Sequence, residues 1–476
     1  MIQLLILLHV YFVTFTDKAQ TGEPALSPRA VAQRTKWNIA TDALDYPVNE
    51  TYLQNLRQRG VYIYHTSRWF NGVTCEMEPE TADQVKALNF VQSVEMTREG
   101  GSTRAGAPKR RLETESTVEL RTDTAVQWTN KQLEVYNLPP LHNAGYKGQG
   151  ILMTVCDGAF ANANQMSCFR PSLELGHFDF TDDTDDFYGY TGDHGTKCLS
   201  AISGIMEGYT GAATKASYYL MRSEEHLTES PKEMDNLVAA LEKADSLGVN
   251  IFSVSLGYAQ FNNSAWNINK ETDLDGQKTR VSRAATIAAR KGMLVCVAAG
   301  NEGAGDWRQI SVPCDADSVL TVGAVDTLRQ IGDFSSYGPT TDGRIKPEVC
   351  AVGVRTTLIN PNGTIVNSNG TSFATPLLAG MAACLWSALP NENAMQIRER
   401  IIRSAEHYGS PDPDHHYGYG IPDAWTAFTM NLPTGLEHET KAQETKDQVT
   451  KVLREGQIYI IRGNTMYDLY GRKVAQ

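Results

Sequence analysis

Four side chains that together could perform nucleophilic catalysis stand at the ends of predicted strands or the starts of predicted helices. Asp157 ends an apolar run and Asn301 follows another, while His194 and Ser372 each open a helical stretch. A hydroxyl can attack once an imidazole takes its proton, a carboxylate can orient that imidazole, and an amide can hold the resulting oxyanion. The chain order Asp, His, Ser is one of three orders known for this geometry.

Each residue alone has an ordinary structural interpretation. An aspartate at a strand end commonly caps a helix or forms a turn, and a Gly-Thr-Ser stretch that opens a helix is commonly only a cap. A histidine is commonly just hydrogen-bonded or on the surface. The four together favour catalysis, because functional side chains gather at the carboxyl ends of strands in open α/β sheets.

The elements that position these residues read as a parallel sheet covered by helices on both faces. The predicted strands are Ile151–Val155, Ser217–Met221, Ile251–Ser255, Leu294–Ala298 and Val319–Val322. One predicted helix begins at Ser230-Pro231 with Glu233 completing a capping box, and it ends at Gly248. Further helices are predicted at Val281–Lys291 and Ser372–Leu389.

The composition is that of an acidic globular protein. The chain has 476 residues, of which 41% are hydrophobic and 21% charged, and its formal net charge is −12. This balance excludes a wholly disordered chain and argues against nucleic-acid binding. Eight cysteines are too few for a disulfide scaffold in a chain of this length.

Five motifs resemble those of the subtilisin-like serine proteases, the subtilase family. They are DG at 157–158, DHGT at 193–196, SLG at 255–257, AAGNEG at 298–303 and GTSFATP at 370–376. The resemblance covers about 126–428 and implies a subtilisin-like three-layer α/β fold with a mostly parallel central sheet. It also implies a serine endopeptidase that cleaves protein or peptide substrates through an acyl-enzyme, with no cofactor or metal required for the chemistry.

The resemblance also implies a role for each site residue. Ser372 would be the nucleophile, His194 the general base and then acid, and Asp157 the residue that orients His194. Asn301 would donate to the oxyanion together with the backbone N–H of Ser372. Ser255, Leu256 and Gly257 match the strand that pairs with extended substrate in the family.

The sequence departs from the family at two places. Asp157-Gly158-Ala159 carries its glycine one position early, and the glycine-rich second substrate strand is not recognisable at 222–226. A catalytically silent binding protein with the same fold is the main alternative. An α/β-hydrolase esterase would need a G-x-S-x-G motif and an Asp after the serine, and the region of Ser372 has neither.

The flanking regions predict how the chain is organised. We expect a signal peptide at 1–19, with a buried N-terminal strand as the alternative, and no later transmembrane segment. A small α+β unit at 20–103 and a linker at 104–125 precede the peptidase domain at 126–432. The unit resembles the propeptide of exported Bacteroidetes-type subtilases, which implies an intramolecular inhibitor and a periplasmic, cell-surface or extracellular protein. Residues 433–476 read as a linker and a β-hairpin tail, and the hairpin resembles the end of type IX secretion sorting domains.

Cysteines and acidic runs have structural interpretations first. Buried thiols are expected at Cys156, Cys296 and Cys384, while Cys296–Cys314 or Cys168–Cys198 could pair as disulfides. The acidic run at 182–186, and Asp273 with Asp275, could bind a structural Ca²⁺, although such runs are more commonly solvated loops.

Overall fold

The computed structural model describes most of the chain, in two units that span 1–430 and 431–476. The described residues are 7–18, 22–100, 118–119, 122–181, 186–189, 192–226, 228–407, 414–432, 449–454, 457–462, 465–467 and 473–474.

The N-terminal domain is a four-stranded antiparallel sheet with helices, in the strand order β2-β3-β1-β4. Its elements are β1 His9–Phe15, α1 Pro28–Lys36, α2 Glu50–Gln58, β2 Tyr62–Ser67, β3 Gly72–Met77, α3 Pro79–Lys86 and β4 Val91–Arg98. Val13, Leu56, Val73 and Val85 are buried in its core. The predicted α+β unit is therefore a folded domain with a core of its own.

The predicted signal peptide at 1–19 is wrong for residues 9–15. These residues form β1, an interior strand that pairs with both β3 and β4, and Val10 and Val13 are fully buried. An apolar run that suits a leader suits a buried strand equally well, and removing 1–19 would leave β3 and β4 without their common neighbour. The alternative, a buried N-terminal strand, is confirmed, and the domain begins before residue 20.

The peptidase-like domain contains a seven-stranded parallel sheet in the order β14-β13-β12-β11-β6-β10-β7. Its strands and the smaller ones beside it are β5 Val118–Glu119, β6 Leu152–Asp157, β7 Glu174–Asp179, β8 Ile205–Met206, β9 Tyr209–Thr210, β10 Ser217–Arg222, β11 Ile251–Val254, β12 Leu294–Ala298, β13 Leu320–Val325, β14 Val349–Val352, β15 Thr356–Ile359 and β16 Ile365–Ser368. Its helices are α4 Thr122–Glu134, α5 Pro139–Asn143, α6 His194–Ser203, α7 Pro231–Leu247, α8 Arg280–Arg290, α9 Thr371–Ala388, α10 Ala394–Arg403 and α11 Ala424–Thr429.

Helices cover both faces of this sheet, which confirms the three-layer fold. Successive side chains of β6 alternate between two cores: Met153 and Val155 lie in the core of α6 and α9, while Leu152 and Cys156 lie in the core of α7 and α8. A strand buried on both faces must be apolar at nearly every position, and this is why the five predicted strands appear as continuous apolar runs.

Local signals predict the bounds of α7 well. Glu233 accepts the backbone N–H of Ser230 at 3.2 Å, and Gly248 ends the helix in the left-handed conformation at φ 73°. The predicted linker is shorter than 104–125, because β5 pairs with β16 and α4 begins at Thr122.

The tail unit is a four-stranded antiparallel sheet, in the order β17 Val449–Arg454, β18 Gln457–Arg462, β19 Thr465–Tyr467 and β20 Lys473–Val474. The two strands of the predicted hairpin pair with each other, with Arg462 opposite Thr465, and the predicted turn at 463–464 lies outside the described residues. Residues 449–454, interpreted from their polarity as linker, form an additional strand.

Candidate active site

The last residue of β6 and the first residue of α6 meet at the carboxyl edge of the sheet. His194 Nδ1 lies 2.6 Å from Asp157 Oδ1, and both side chains are buried. The backbone N–H of Gly158 also donates to Asp157 Oδ1, at 2.8 Å. A carboxylate that binds Nδ1 fixes the imidazole ring and makes Nε2 the nitrogen that can accept a proton.

Gly195 and Thr196 hold the start of α6 against the loop that follows Asp157. A Cβ at Gly195 would lie 2.4 Å from the carbonyl oxygen of Ala159 and 2.9 Å from the Cβ of Asp157. The Thr196 hydroxyl donates to the carbonyl of Ala161 at 2.8 Å. The Gly-Thr that follows the histidine therefore allows the close approach that brings His194 to Asp157.

Ser372 is the second residue of α9, the central helix of the domain, and its side chain is buried with 5% exposure. The first N–H groups of an α-helix have no intrahelical acceptor, so the Ser372 N–H can serve an incoming oxyanion. By length and composition α9 could cross a membrane, but 89% of its apolar window is buried inside the protein, as in a core helix.

Pro376 lies inside α9, beyond its first turn. Because proline has no N–H, the carbonyl of Ser372 four residues earlier lacks its helical donor. That carbonyl instead accepts the Ser255 hydroxyl at 2.8 Å, and the Cys198 thiol lies 3.4 Å away. The proline thus frees a backbone acceptor at the candidate nucleophile, and one side chain that follows β11 and one from α6 contact it.

Asn301 lies beyond the end of β12 and faces the start of α9. Its side-chain oxygen accepts the backbone N–H of Thr371 at 2.9 Å and the Thr371 hydroxyl at 3.0 Å. Its Nδ2 lies 3.6 Å from the position that a Cβ would take at Gly370. With the oxygen held by Thr371, the NH₂ group is the donor directed toward the turn that carries Ser372.

The three predicted substrate-binding residues follow β11 directly. Ser255 is buried and contacts the backbone of Ser372, while Leu256 and Gly257 are half-buried. A Cβ at Gly257 would lie 2.1 Å from the hydroxyl of Ser311, so a glycine is required beside that serine. Ser255 thus binds the backbone of the candidate nucleophile. The sequence predicted only substrate binding for this residue.

Cys198 is the site residue that sequence reasoning missed. It lies one turn after His194 on α6, and its sulfur is 3.9 Å from His194 Nε2 and 3.6 Å from the Ser255 hydroxyl. Burial raises the pKa of its thiol to about 11, although His194 opposes this rise. Residues four apart on a helix lie on the same face, so the spacing between His194 and Cys198 could have identified Cys198 from the sequence.

The first departure from the family motif has a local explanation. Gly158 follows Asp157 directly, and Glu224 Cβ approaches to 3.3 Å from where a Cβ at 158 would stand. The segment after β10 is thus close to the turn that follows Asp157.

The contacts contradict the two possible disulfides, and two aspartates named for calcium bind backbone N–H groups. All eight cysteines of the sequence are free and buried, so neither Cys296–Cys314 nor Cys168–Cys198 is a disulfide. Asp275 accepts the backbone N–H groups of Gln277 and Lys278, and Asp273 accepts that of Asn269, as turn-forming aspartates do. Residues 182–185 of the acidic run lie outside the described residues.

Comparison with known proteins confirms the resemblance to the subtilase family. A model of the subtilase family matches residues 123–420, and a model described as the peptidase S8 propeptide domain of Bacteroidota matches residues 10–113. The chain therefore belongs to the subtilase family. The propeptide match begins inside β1, in agreement with the correction to the predicted signal peptide.

Curated relatives and a solved structure resemble the same region. Subtilisin NAT of Bacillus subtilis subsp. natto is 29% identical over 287 residues, which are 60% of this chain and 67% of that protein. Subtilisin of Bacillus pumilus is also 29% identical over 287 residues, and the match covers 60% of this chain and 92% of that protein. The crystal structure of MycP1 from the ESX-1 type VII secretion system has the same fold, with a TM-score of 0.50, 22% identity, and coverage of 65% of this chain and 87% of that one.

The protein is a subtilisin-like serine endopeptidase with an N-terminal propeptide domain. Its substrates are proteins, and its own propeptide is an intramolecular partner.

Proposed function

We propose that peptide bonds are hydrolysed by an Asp157–His194–Ser372 triad through an acyl-enzyme. The observation that carries the proposal is the 2.6 Å contact of His194 Nδ1 with buried Asp157 Oδ1. This contact reserves Nε2 as the base, and Cys198 lies both 3.9 Å from Nε2 and 3.4 Å from the carbonyl of Ser372.

The steps follow from these positions. Ser372 Oγ attacks the scissile carbonyl carbon while its proton passes to His194 Nε2. The oxyanion accepts hydrogen bonds from Asn301 Nδ2 and the Ser372 N–H. The C–N bond then breaks, the amine leaves with the proton from His194, and a water molecule repeats the sequence to release the acid. These groups suffice for the chemistry, so we expect EDTA to leave turnover unchanged.

A thiol nucleophile is the competing interpretation, because Asp157, His194 and Cys198 lie within 4.8 Å of one another. The geometry favours the serine. Cys198 is fully buried, and a thiol whose pKa is raised to about 11 is protonated near neutral pH, whereas the thiolate is the nucleophile.

A fluorophosphonate probe tests the proposal. We expect the processed protein to be labelled at Ser372, the label to be lost in Ser372→Ala, and the label to persist in Cys198→Ala. Absence of labelling in a folded and processed wild-type protein would instead indicate a catalytically silent binding protein. Loss of labelling in Cys198→Ala only would transfer the nucleophile to the thiol.

We also propose that the protein acts outside the cytoplasm. A peptidase made together with a propeptide domain is suited to delivery before activation, and the processed protein should then appear in the periplasm, at the cell surface or in the medium. Fractionation of the native host with an antibody against the peptidase domain tests this, and recovery of processed protein only from the cytoplasm would contradict it.

A further inference from the structure

An unusually long connection joins β1 to α2 in the propeptide domain. Most connections inside a compact domain are short, with a median of about 4–6 residues. Here the connection runs from 16 to 49 and contains α1. We call residues 22–48 the strap.

The strap binds the peptidase domain at the edge of the sheet opposite the active site. The Ser27 N–H donates to the carbonyl of Ser246 at 2.8 Å, and Arg29 donates to the carbonyl of Gly248 at 3.0 Å and to Asn250 Oδ1 at 2.7 Å. These acceptors lie at the end of α7 and just before β11, hence at the amino ends of the strands. The active site lies at their carboxyl ends.

Gly248 both ends α7 and receives the strap. A Cβ at Gly248 would lie 2.7 Å from the backbone nitrogen of Ala30, so only a glycine lets α1 approach this closely. On the neighbouring helix, Gln33 donates to the carbonyl of Gly292 at 3.3 Å. The ends of α7 and α8 therefore form the seat of the strap.

A buried ion-pair cluster joins the strap to α7. Arg34 lies 2.7 Å from Asp45 of the strap and 2.8 Å from Asp245 of α7, and all three side chains are at most 4% exposed. Arg68, from the end of β2, pairs with the same Asp245. Lys291, beyond α8, pairs with Asp45 at 3.0 Å. Removing one partner from such a cluster leaves a buried charge uncompensated, which is strongly unfavourable.

The opposite end of the propeptide domain reaches the active-site edge. Arg98 at the end of β4 lies 4.0 Å from Glu225, and Asn263 donates to Glu99 at 3.0 Å. The propeptide domain is thus attached at both ends of α7, and its sheet also contacts the helix between them, since Ser67 donates to Glu242 at 2.5 Å. The attachment made by the strap is the one at the end of α7 far from the active site.

We infer that the strap is an additional anchor, remote from the cleft, which sets how long the propeptide domain stays bound once the linker has been cut. The inference rests on the proposed function in one respect: in the cell, the peptidase itself would cut the linker. The partner surface is the seat on the peptidase domain, from Asp245 to Asn250 and at Gly292. A cut in the linker at the C-terminal end of the propeptide domain leaves all contacts between the strap and this surface in place.

The test uses the Ser372→Ala full chain, so that it does not depend on catalysis. Limited trypsin cuts this chain within 101–117, where the sequence has Arg104, Lys109, Arg110 and Arg111. Mass spectrometry identifies the cut, and size-exclusion chromatography after dilution measures how fast the two fragments separate. We expect the fragments to co-elute, and Arg34→Met to accelerate their separation about 30-fold or more.

Two further variants make the outcome decisive. Arg29→Ala removes only partly exposed contacts of the strap, and it should separate faster than the parent even if Arg34→Met fails to fold. Arg57→Ala is the control, because its pair with Glu50 lies on the exposed surface of the same domain. The inference would be overturned if the fragments of Arg29→Ala and of folded Arg34→Met separated no faster than those of Arg57→Ala. It would also be overturned if the fragments of the parent chain, whose strap is unchanged, separated immediately. Failure of the proposed function would appear elsewhere, as an unlabelled Ser372.

Discussion

The Ser255 hydroxyl donates to the carbonyl of Ser372 at 2.8 Å, where Pro376 leaves that carbonyl without its helical donor. This bond ties the candidate nucleophile to the end of β11. Because it acts on the backbone of Ser372, its effect should be on the position of the attacking oxygen.

Ser255→Ala should therefore lower kcat about tenfold with little change in KM, since small displacements of a reacting group are costly. Steady-state kinetics on a chromogenic peptide amide measure both constants. Ser253→Ala is the matched control. It removes a buried hydroxyl of β11, the strand that Ser255 follows, and this hydroxyl has no hydrogen-bond partner in the structure. A change in KM alone would assign Ser255 to substrate binding.

Asn301→Ala should lower kcat about 10²–10³-fold and leave KM nearly unchanged, because the amide meets the oxyanion mainly in the transition state. Thr371→Val removes one of the two bonds that orient this amide, and it should have a smaller effect in the same direction. If Asn301→Ala raised only KM, the residue would bind ground-state substrate instead.

Iodoacetamide at pH 7.5 should leave peptidase activity intact. Burial raises the pKa of the Cys198 thiol to about 11, so the reactive thiolate is scarce at this pH and increases only as the pH approaches that value. Residual activity after timed incubation, with Cys198→Ala as the control, measures the effect. Rapid inactivation of wild type that is absent from Cys198→Ala would contradict a protonated, enclosed thiol.

Local signals predicted the elements that carry the site, whereas tertiary contacts determined the rest. Pro231 and Gly248 mark the bounds of α7 because caps act within one turn. The close contact of Gly248 with the backbone of Ala30 could not be predicted from sequence, since the two residues are far apart along the chain.

The N-terminal run shows the opposite case. Met1–Phe15 has the apolar character of both a leader and a buried strand, and only its pairing with β3 and β4 distinguishes them. In the same way, β7 was missed because its exposed positions alternate with half-buried ones at the edge of the sheet, so it has no continuous apolar run.

Ser311→Gly should widen the side-chain preference of the peptidase. The buried Ser311 hydroxyl lies beside Gly257, one of the predicted substrate-binding residues, and is 3.8 Å from where a Cβ would stand at Gly300, which precedes Asn301. Because this hydroxyl occupies the space beside both glycines, we expect it to favour small side chains on the acyl side of the scissile bond. In Ser311→Gly, kcat/KM for an aromatic residue there should rise relative to alanine, by about 10-fold or more. Ser318→Gly, on the loop before β13, is the control, and an unchanged ratio in Ser311→Gly would remove Ser311 from this pocket.

The wild-type chain should cut itself within 101–117. Both ends of this segment are held on the peptidase domain near the site. Glu99 binds Asn263 a few residues beyond Gly257, and Val118 pairs with Asn367 on the strand that precedes Ser372. Because a mostly parallel sheet depends on non-local contacts and folds slowly, a propeptide that remains attached during folding would assist it.

Expression in a protease-deficient host, followed by N-terminal sequencing, tests this prediction. Wild type should yield a peptidase fragment that begins before Val118, since a later cut would remove β5, and Ser372→Ala should remain one chain. Cys198→Ala is the control for a buried substitution next to the same groups and should be processed like wild type. Identical trimming of wild type and Ser372→Ala would show that another protease makes the cut. An intact wild-type chain whose Ser372 reacts with a fluorophosphonate probe would show an active enzyme that keeps its propeptide domain covalently attached.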